Sequence, residues 1–380
     1  MKINIAASGR FHLCDLAKEL EKQGHEVRFY SYVPTKRLQK FGLKKKNSYS
    51  LFWIMLPVLA CIKLSNRAVW SMKLEWFVLD HIVGLFMKKC DVFIAMSSIY
   101  SYAFKQAKKK FNAKTFLERG SVHALALKEL YDKQKFDRNS TKNNPYYSLV
   151  SDYAIKRELE MYDFVDYISI ASSSVLDTFL KYQNKKEKMF INPYGVDLSM
   201  FPPTKLDQSS QTYDIIMVGN WSWMKGCDLL EEACKKLNLT LLHVGSCAMP
   251  FPKHKNFTDV GRIDQSQISN YLKKAKIFVL PSRQEGLALV QLQAISSGLP
   301  LVCSKYTGGE TLKNMINNSK WITVFTPYTV DSLCKSIQIS LELADTQSDV
   351  RSYVNNIESI FSTEAYGKRY NDFLMKLFHE

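Results

Sequence analysis

The chain has 380 residues, 46% apolar and 13% aromatic with only 15 Gly and 11 Pro, which suits two domains and excludes a disordered, collagen-like or low-complexity protein. The net charge of +16 is lopsided: residues 1–200 hold 33 Lys and Arg against 19 Asp and Glu, and the rest is nearly balanced. A general solubility device would spread its charge, so this one points to a localised anionic surface, whether membrane, nucleic acid or acidic glycan.

The start, MKINIAASGRFH, turns polar at Ser8 after too few apolar residues for a signal-peptide core, so a cytosolic start is expected. Lys2–Ala7 predicts a strand. His12–Gln23 predicts a helix with Leu13, Leu16, Ala17 and Leu20 on one face, and Gly24 ends it before a strand over Glu26–Ser31. Between Lys36 and Lys73, cations including Arg67 flank the apolar run Leu51–Ile62, which carries a tryptophan and an internal proline. At 12 residues it is short of the ~20 that cross a bilayer. It fits either an anionic membrane interface or a buried helix or loop of the first domain with lysines on its wet side.

The strand-helix rhythm continues with a strand over Asp91–Ser97 and a helix to Lys110, then a strand over Lys114–Glu118. A strand over Asp166–Ile170, a helix to Tyr182 and a strand over Lys188–Asn192 complete it. This predicts an open parallel sheet wrapped by helices. The stretch from Pro193 through Pro202 and Pro203 to Thr212 reads as a linker. A second array follows, with strands over Tyr213–Val218, Thr240–Val244, Lys276–Leu280 and Leu301–Ser304. Helices are expected over Cys227–Leu237, Gln265–Lys274 and Ala288–Ser297, with further helices beyond. The expected fold class is thus α/β with two Rossmann-like domains. Ligands of such sheets lie beyond the carboxyl ends of the strands, which places the expected active site in a cleft between the domains.

Two stretches carry chemistry. In VGNWSWMKGCDLLEEA (218–233) a strand ends at Gly219 and a loop delivers Lys225 where a helix begins, so an ammonium and free N–H groups can form an anion pocket. The Walker spacing is absent, and an ordinary turn with a solvated lysine is the alternative. In FVLPSRQEGLALVQLQAISSGLPLVCS (278–304), Glu285 leaves a strand just before Gly286 and a helix. Gln293 follows eight residues on, roughly on the same side. The eight cysteines form no Cys-x2-Cys pair and no zinc-spaced cluster with histidine, so neither a disulfide framework nor a structural metal is expected.

The ordered set NPYGVDLSMFPP, VGNWSWMKGCDLL, VGRIDQSQI, FVLPSRQEGLALVQLQAISSGLPLV and YTGGETL resembles the retaining glycosyltransferases of family 4, which have the GT-B fold. The match is strong over about 190–345; SGRFH, FLERGSVHA (116–124) and FSTEAYGKRYNDFL resemble the family's other landmarks more loosely. The resemblance implies an acceptor-binding domain over 1–195, a nucleotide-sugar-binding domain over 196–360 and a terminal helix over 361–380 that crosses back. It implies transfer of a sugar from a UDP- or GDP-linked donor, with retained configuration, to a glycan or lipid-linked acceptor of cell-surface polysaccharide or lipopolysaccharide. Such an enzyme would be cytoplasmic or peripheral at the inner face of the membrane.

By position, the resemblance makes Lys225 the neutraliser of the donor diphosphate and Glu285 the partner of the donor-sugar hydroxyls. Gly219, Asn220, Gly286, Leu287, Ala288 and Leu289 would line the donor, and Gln293 would reach the ribose. His123 would approach the reacting sugar, though a structural histidine is the more frequent case. Gly9, His12 and Arg119 would sit on the acceptor side, where Glu118 and Arg119 could simply pair with each other. No Asp-x-Asp occurs, which fits a site needing no metal or other cofactor and turnover that survives chelation. Asn220 stands where the family usually has a second phosphate-binding cation, an arginine, and Arg283 or Arg262 could supply that charge. Gln293 replaces the family's second glutamate, and an amide can keep one ribose contact while rearranging the other. Other classes fit less well: an inactive sugar-binding relative, an epimerase or phosphorylase on the same fold, or a nucleic-acid-binding protein, for which no basic recognition helix is present.

Overall fold

A computed structural model describes residues 1–66, 68–138, 150–183, 185–203, 212–316, 319–347, 351 and 354–379. Arg67 and positions 204–211 of the expected linker lie outside them. The chain divides into two compact units: Met1–Ala171 with Leu176–Asn192 and Tyr366–Glu380, and Ser172–Val175 with Pro193–Ala365.

The first unit is built on seven parallel strands: β1 (Lys2–Ala6), β2 (Glu26–Ser31), β3 (Ser48–Ser50), β4 (Val92–Met96), β5 (Lys114–Arg119), β6 (Tyr167–Ile170) and β7 (Met189–Ile191). They lie in the order β3-β2-β1-β4-β5-β6-β7. Central strands are buried on both faces: Ile3, Asn4, Ile5 and Ala6 of β1 are all shielded, as expected where helices cover both sides of a parallel sheet. The helix Phe11–Lys22 buries Leu13, Cys14, Leu16, Ala17 and Leu20 along one stripe.

The second unit holds β8 (Tyr213–Val218), β9 (Leu241–Val244), β10 (Phe257–Asp259), β11 (Ala275–Leu280), β12 (Leu301–Ser304) and β13 (Ile322–Phe325). Their order is β10-β9-β8-β11-β12-β13, again all parallel. The chain starts in the middle at β8, works outward through β9 and β10, then returns to place β11 on the other side of β8. The loops after β8 and β11 therefore diverge and leave a crevice at the carboxyl edge.

Three strands escaped the sequence reading: β3, β10 and β13. Each has three or four residues and lies at or near a sheet edge, and β3 (Ser-Tyr-Ser) has no apolar pattern. The helix expected over Gln265–Lys274 is a 3-10 turn, Gln265–Gln267, followed by the short helix Ile268–Leu272.

The apolar run near residue 55 forms the helix Phe52–Leu64, in which Met55 alone is buried. Its neighbour, Val69–Phe86, buries Trp76, Leu79 and Val83 but leaves much of its apolar surface outside. Trp53 is 79% exposed, Leu64 88%, Trp70 57% and Phe86 71%, and Ile54, Val69, Phe77 and Leu85 are exposed too. The buried-helix alternative is therefore wrong. Exposed Lys63, Lys73 and Lys89 accompany the apolar side chains. No helix among the described residues is long and apolar enough to cross a membrane.

Candidate active site

The crevice between β8 and β11 is where the two chemical stretches meet. After β8 the chain makes a 3-10 turn, Trp223–Lys225, then enters the helix Cys227–Lys236 through Gly226. Gly226 has φ +70°, and a Cβ there would overlap the Pro281 carbonyl and the Tyr328 hydroxyl, so the close approach of the two loops requires glycine. No side chain caps that helix, which leaves its N-terminal dipole available to a ligand.

After β11 the loop delivers Glu285. Its carboxylate contacts the Lys225 ammonium and accepts from Ser282 Oγ at 3.0 Å. Both partners are partly exposed, with 27% of the Lys225 side chain and 16% of the Glu285 side chain open, so each can be reached. The loops are pinned by backbone: Arg283 N–H donates to Met224 O at 2.9 Å and Glu285 N–H to Tyr306 O at 2.8 Å. Sequence reasoning named Lys225 and Glu285 but missed Ser282, three residues before Glu285 in the same loop.

The remaining donor-side positions are also in this unit. Gly219 ends β8 with φ +145°, and Asn220 accepts from Ser246 Oγ at 3.0 Å. The Gly286 carbonyl accepts from Ser172 Oγ. Leu287 and Ala288 are buried, and Leu289 opens the helix Leu289–Ser296. Gln293 lies inside that helix, 3% exposed, and its buried Oε1 has no hydrogen-bond partner among the described residues. A buried acceptor left unpaired costs about 1–3 kcal/mol, which a ligand hydroxyl would relieve.

Arg283 lies between the two loops. Its guanidinium forks onto both oxygens of Asp228 at 2.7 and 2.8 Å, donates to Trp223 O at 2.5 Å and stacks 4.1 Å above the Trp223 ring. Its charge is compensated by Asp228 and its plane is clamped, so it braces the loop that carries Lys225. Arg262 is exposed in the loop beyond β10.

The first-unit candidates occupy the carboxyl edge of its own sheet. Gly9 follows β1, and a Cβ there would come 3.0 Å from the Phe11 ring. His12 Nε2 lies 3.1 Å from Glu118 Oε2. Glu118 and Arg119 do not pair with each other, because consecutive strand side chains point to opposite faces. Arg119 instead forms a buried ion pair with Glu158 at 3.1 Å and donates to Val122 O from Nε and Nη2 at 2.9 and 2.6 Å. His123 is fully buried; its Nδ1 accepts from Leu125 N–H at 3.2 Å, and its ring stacks on Tyr182 at 5.0 Å with Phe179 and Tyr162 alongside. These are the contacts of the structural alternative.

Residues 212–342 match the family model described as Glycosyl transferases group 1. By that match the second unit is similar to the group 1 glycosyltransferases. The chain is 23% identical over 231 residues to a phosphatidylinositol N-acetylglucosaminyltransferase subunit of Arabidopsis thaliana, covering 56% of this chain and 49% of that protein. The chain spans about half the length, or less, of the curated relatives it matches. Among solved structures it is similar to sucrose-phosphate synthase of Thermosynechococcus elongatus, with a TM-score of 0.66, 15% identity, and 100% of this chain and 99% of that one covered. It is also similar to Anabaena HepE in complex with UDP and glucose, with a TM-score of 0.61, 13% identity, and 99% and 100% covered. The fold is GT-B, and the expected resemblance to glycosyltransferases holds.

Burial, and then the nearby Arg119 charge, push the His123 imidazole down to about 4, so the ring is neutral at pH 7. Protonation therefore opposes folding. The stability that His123 contributes is complete above its unfolded value of 6.5 and is lost as pH falls toward 4. Denaturation of wild type and His123→Gln at several pH values should show a stability gap that narrows between pH 7 and pH 4.5; a gap independent of pH would mean that the neutral ring is not what the fold requires.

Proposed function

We propose that this protein is a retaining glycosyltransferase that moves a sugar from a UDP- or GDP-linked donor to a glycan or lipid-linked acceptor in cell-surface polysaccharide or lipopolysaccharide synthesis. The supporting observation is the meeting of Lys225 and Glu285, from the loops after β8 and β11, at the crevice where the strand order reverses. An ammonium beside an uncapped helix start suits a diphosphate, and a carboxylate one contact away suits sugar hydroxyls.

As the bond from the anomeric carbon to phosphate breaks, negative charge grows on the leaving diphosphate and positive character on the carbon. Lys225 and the first N–H groups of Cys227–Lys236 stabilise the first, and Glu285 favours the second while it orients the sugar. Without donor, Lys225 and Glu285 compensate each other; with donor, each turns to its own partner. Gln293 is assigned to a ribose hydroxyl through its unpaired Oε1. No step of this chemistry is routed through a metal or other cofactor. In the first unit, Gly9 and His12 are assigned to the acceptor, and Arg119 and His123 act as buried supports of that edge.

The exposed apolar faces of Phe52–Leu64 and Val69–Phe86, set among lysines, support peripheral attachment to an anionic leaflet, consistent with a lipid-linked acceptor and a cytoplasmic location at the membrane. Nucleic acid would not call for so much exposed Trp, Phe and Leu.

Losing one such leaving-group contact costs about 3–4 kcal/mol of transition-state stabilisation, on the order of 10²–10³ in rate. Lys225→Met should therefore lose nearly all sugar transfer while its melting curve stays near that of wild type, whereas Gln293→Glu should keep it. Parental turnover in Lys225→Met would remove the assignment. In flotation assays, vesicles containing phosphatidylglycerol should carry the protein and vesicles of phosphatidylcholine alone should not. The double variant Trp53→Ser, Trp70→Ser should lower the bound fraction severalfold; unchanged flotation would exclude these helices as the attachment face.

A further inference from the structure

Away from the Lys225–Glu285 pair, β9 and β10 bring together three side chains to which the proposed chemistry assigns no role. His243 and Asp259 are register partners on these neighbouring strands, and Cys247 follows in the loop after β9. Their donor atoms all lie within 4.8 Å of one another, the only such trio among the described residues. We propose that His243 Nδ1, Cys247 Sγ and an Asp259 carboxylate oxygen bind a zinc-type divalent cation.

His243 anchors the trio. It is fully buried, with Trp221 at 5.2 Å edge-on and Phe251 at 5.5 Å against its face. Its Nε2 lies 2.9 Å from Gly219 O. A carbonyl can only accept, so Nε2 carries its hydrogen, and in the neutral ring Nδ1 is a bare lone pair. That lone pair faces Asp259 Oδ1 at 2.8 Å, another acceptor. Two acceptors at this separation need a cation between them.

A proton would satisfy that pair alone. The third group adds a soft ligand: the Cys247 thiol donates to Asp259 Oδ2 at 3.6 Å, and on losing that proton its sulfur becomes a metal donor beside the carboxylate. With zinc bonds of about 2.0–2.3 Å and tetrahedral angles, sulfur and oxygen ligands sit about 3.5 Å apart. The His243 contact is made by Oδ1 and the Cys247 contact by Oδ2, so both carboxylate oxygens face the pocket, and a cation could take either one after small side-chain rotations. One nitrogen, one thiolate and one carboxylate make a set that zinc accepts, and a fourth position is open to water because Cys247 and Asp259 reach the surface.

The outer contacts suit the role as well. The bond from Nε2–H to a backbone carbonyl is the usual way a metal-binding histidine is oriented, and Gly261 N–H donates to Asp259 Oδ1 at 3.0 Å. The Cys247 loop is held by the main chain of Trp221, whose N–H donates to Ser246 O at 2.6 Å and whose carbonyl accepts from Ala248 N–H at 2.9 Å. A metal here would clamp β9, β10 and this loop together behind Gly219, apart from the reacting groups.

The test is to strip the full chain with a chelator under reducing conditions and titrate it with Co²⁺. One equivalent should bind at micromolar concentration with a thiolate-to-cobalt charge-transfer band, and Zn²⁺ should displace it. Cys247→Ser should lose the band, and Asp259→Asn should weaken binding at least tenfold; both positions are exposed, so both variants should fold. Absence of stoichiometric binding, or a band that survives Cys247→Ser, would overturn the proposal and leave a proton-bridged imidazolium–carboxylate pair. The readout uses no turnover, so its outcome is independent of the glycosyltransferase reading.

Discussion

The second unit is organised by one topological fact: β8 is laid down first and its neighbours are added on opposite sides. Parallel strands leave their loops at the same edge, and the reversal of direction between β8 and β11 keeps the two loops there from covering each other. Lys225 and Glu285 occupy those two loops, and the surroundings hold them there. Gly226 permits the approach, the Arg283–Asp228 fork stiffens the Lys225 turn, and main-chain bonds from Arg283 and Glu285 fix the second loop against its neighbours. A mutual ion pair of two partly exposed groups is worth little as a stability device. In the proposed reading its value lies in presenting opposite charges, already desolvated in part, to a ligand that carries both a diphosphate and hydroxyls.

The sequence announces this architecture because parallel strands are apolar on both faces and punctuated by glycine. Tyr213–Val218 and Leu301–Ser304 are bounded as their apolar runs are. The short edge strands are invisible for the converse reason: Ser48–Ser50 and Phe257–Asp259 acquire strand geometry only by pairing with a neighbour that is already in place. Lys225 and Glu285 could be named because each sits at a strand-to-helix turn, which local pattern reveals. The partners of Arg283 and Arg119 could not, since Asp228 and Glu158 reach them through tertiary packing across 55 and 39 residues. The His243–Cys247–Asp259 cluster is hidden likewise, as no local spacing shows that β9 and β10 are in register.

The first unit carries most of the positive charge and most of the exposed apolar surface. Trp53, Leu64, Trp70 and Phe86 lie on two consecutive helices between basic segments, where burial in a lipid interface would remove large apolar areas from water while lysines meet anionic headgroups. The charge asymmetry between the halves thus falls on the same unit that carries the two exposed apolar helices.

Calorimetric titration of UDP or GDP against the corresponding monophosphate reads whether the Lys225 ammonium receives the donor's diphosphate. Wild type should bind the diphosphate more tightly, and Lys225→Met should weaken that binding about tenfold or more while leaving the monophosphate nearly unchanged, as expected for one lost charge-assisted contact. Equal diphosphate affinity in the two proteins would mean that the ammonium does not receive the diphosphate.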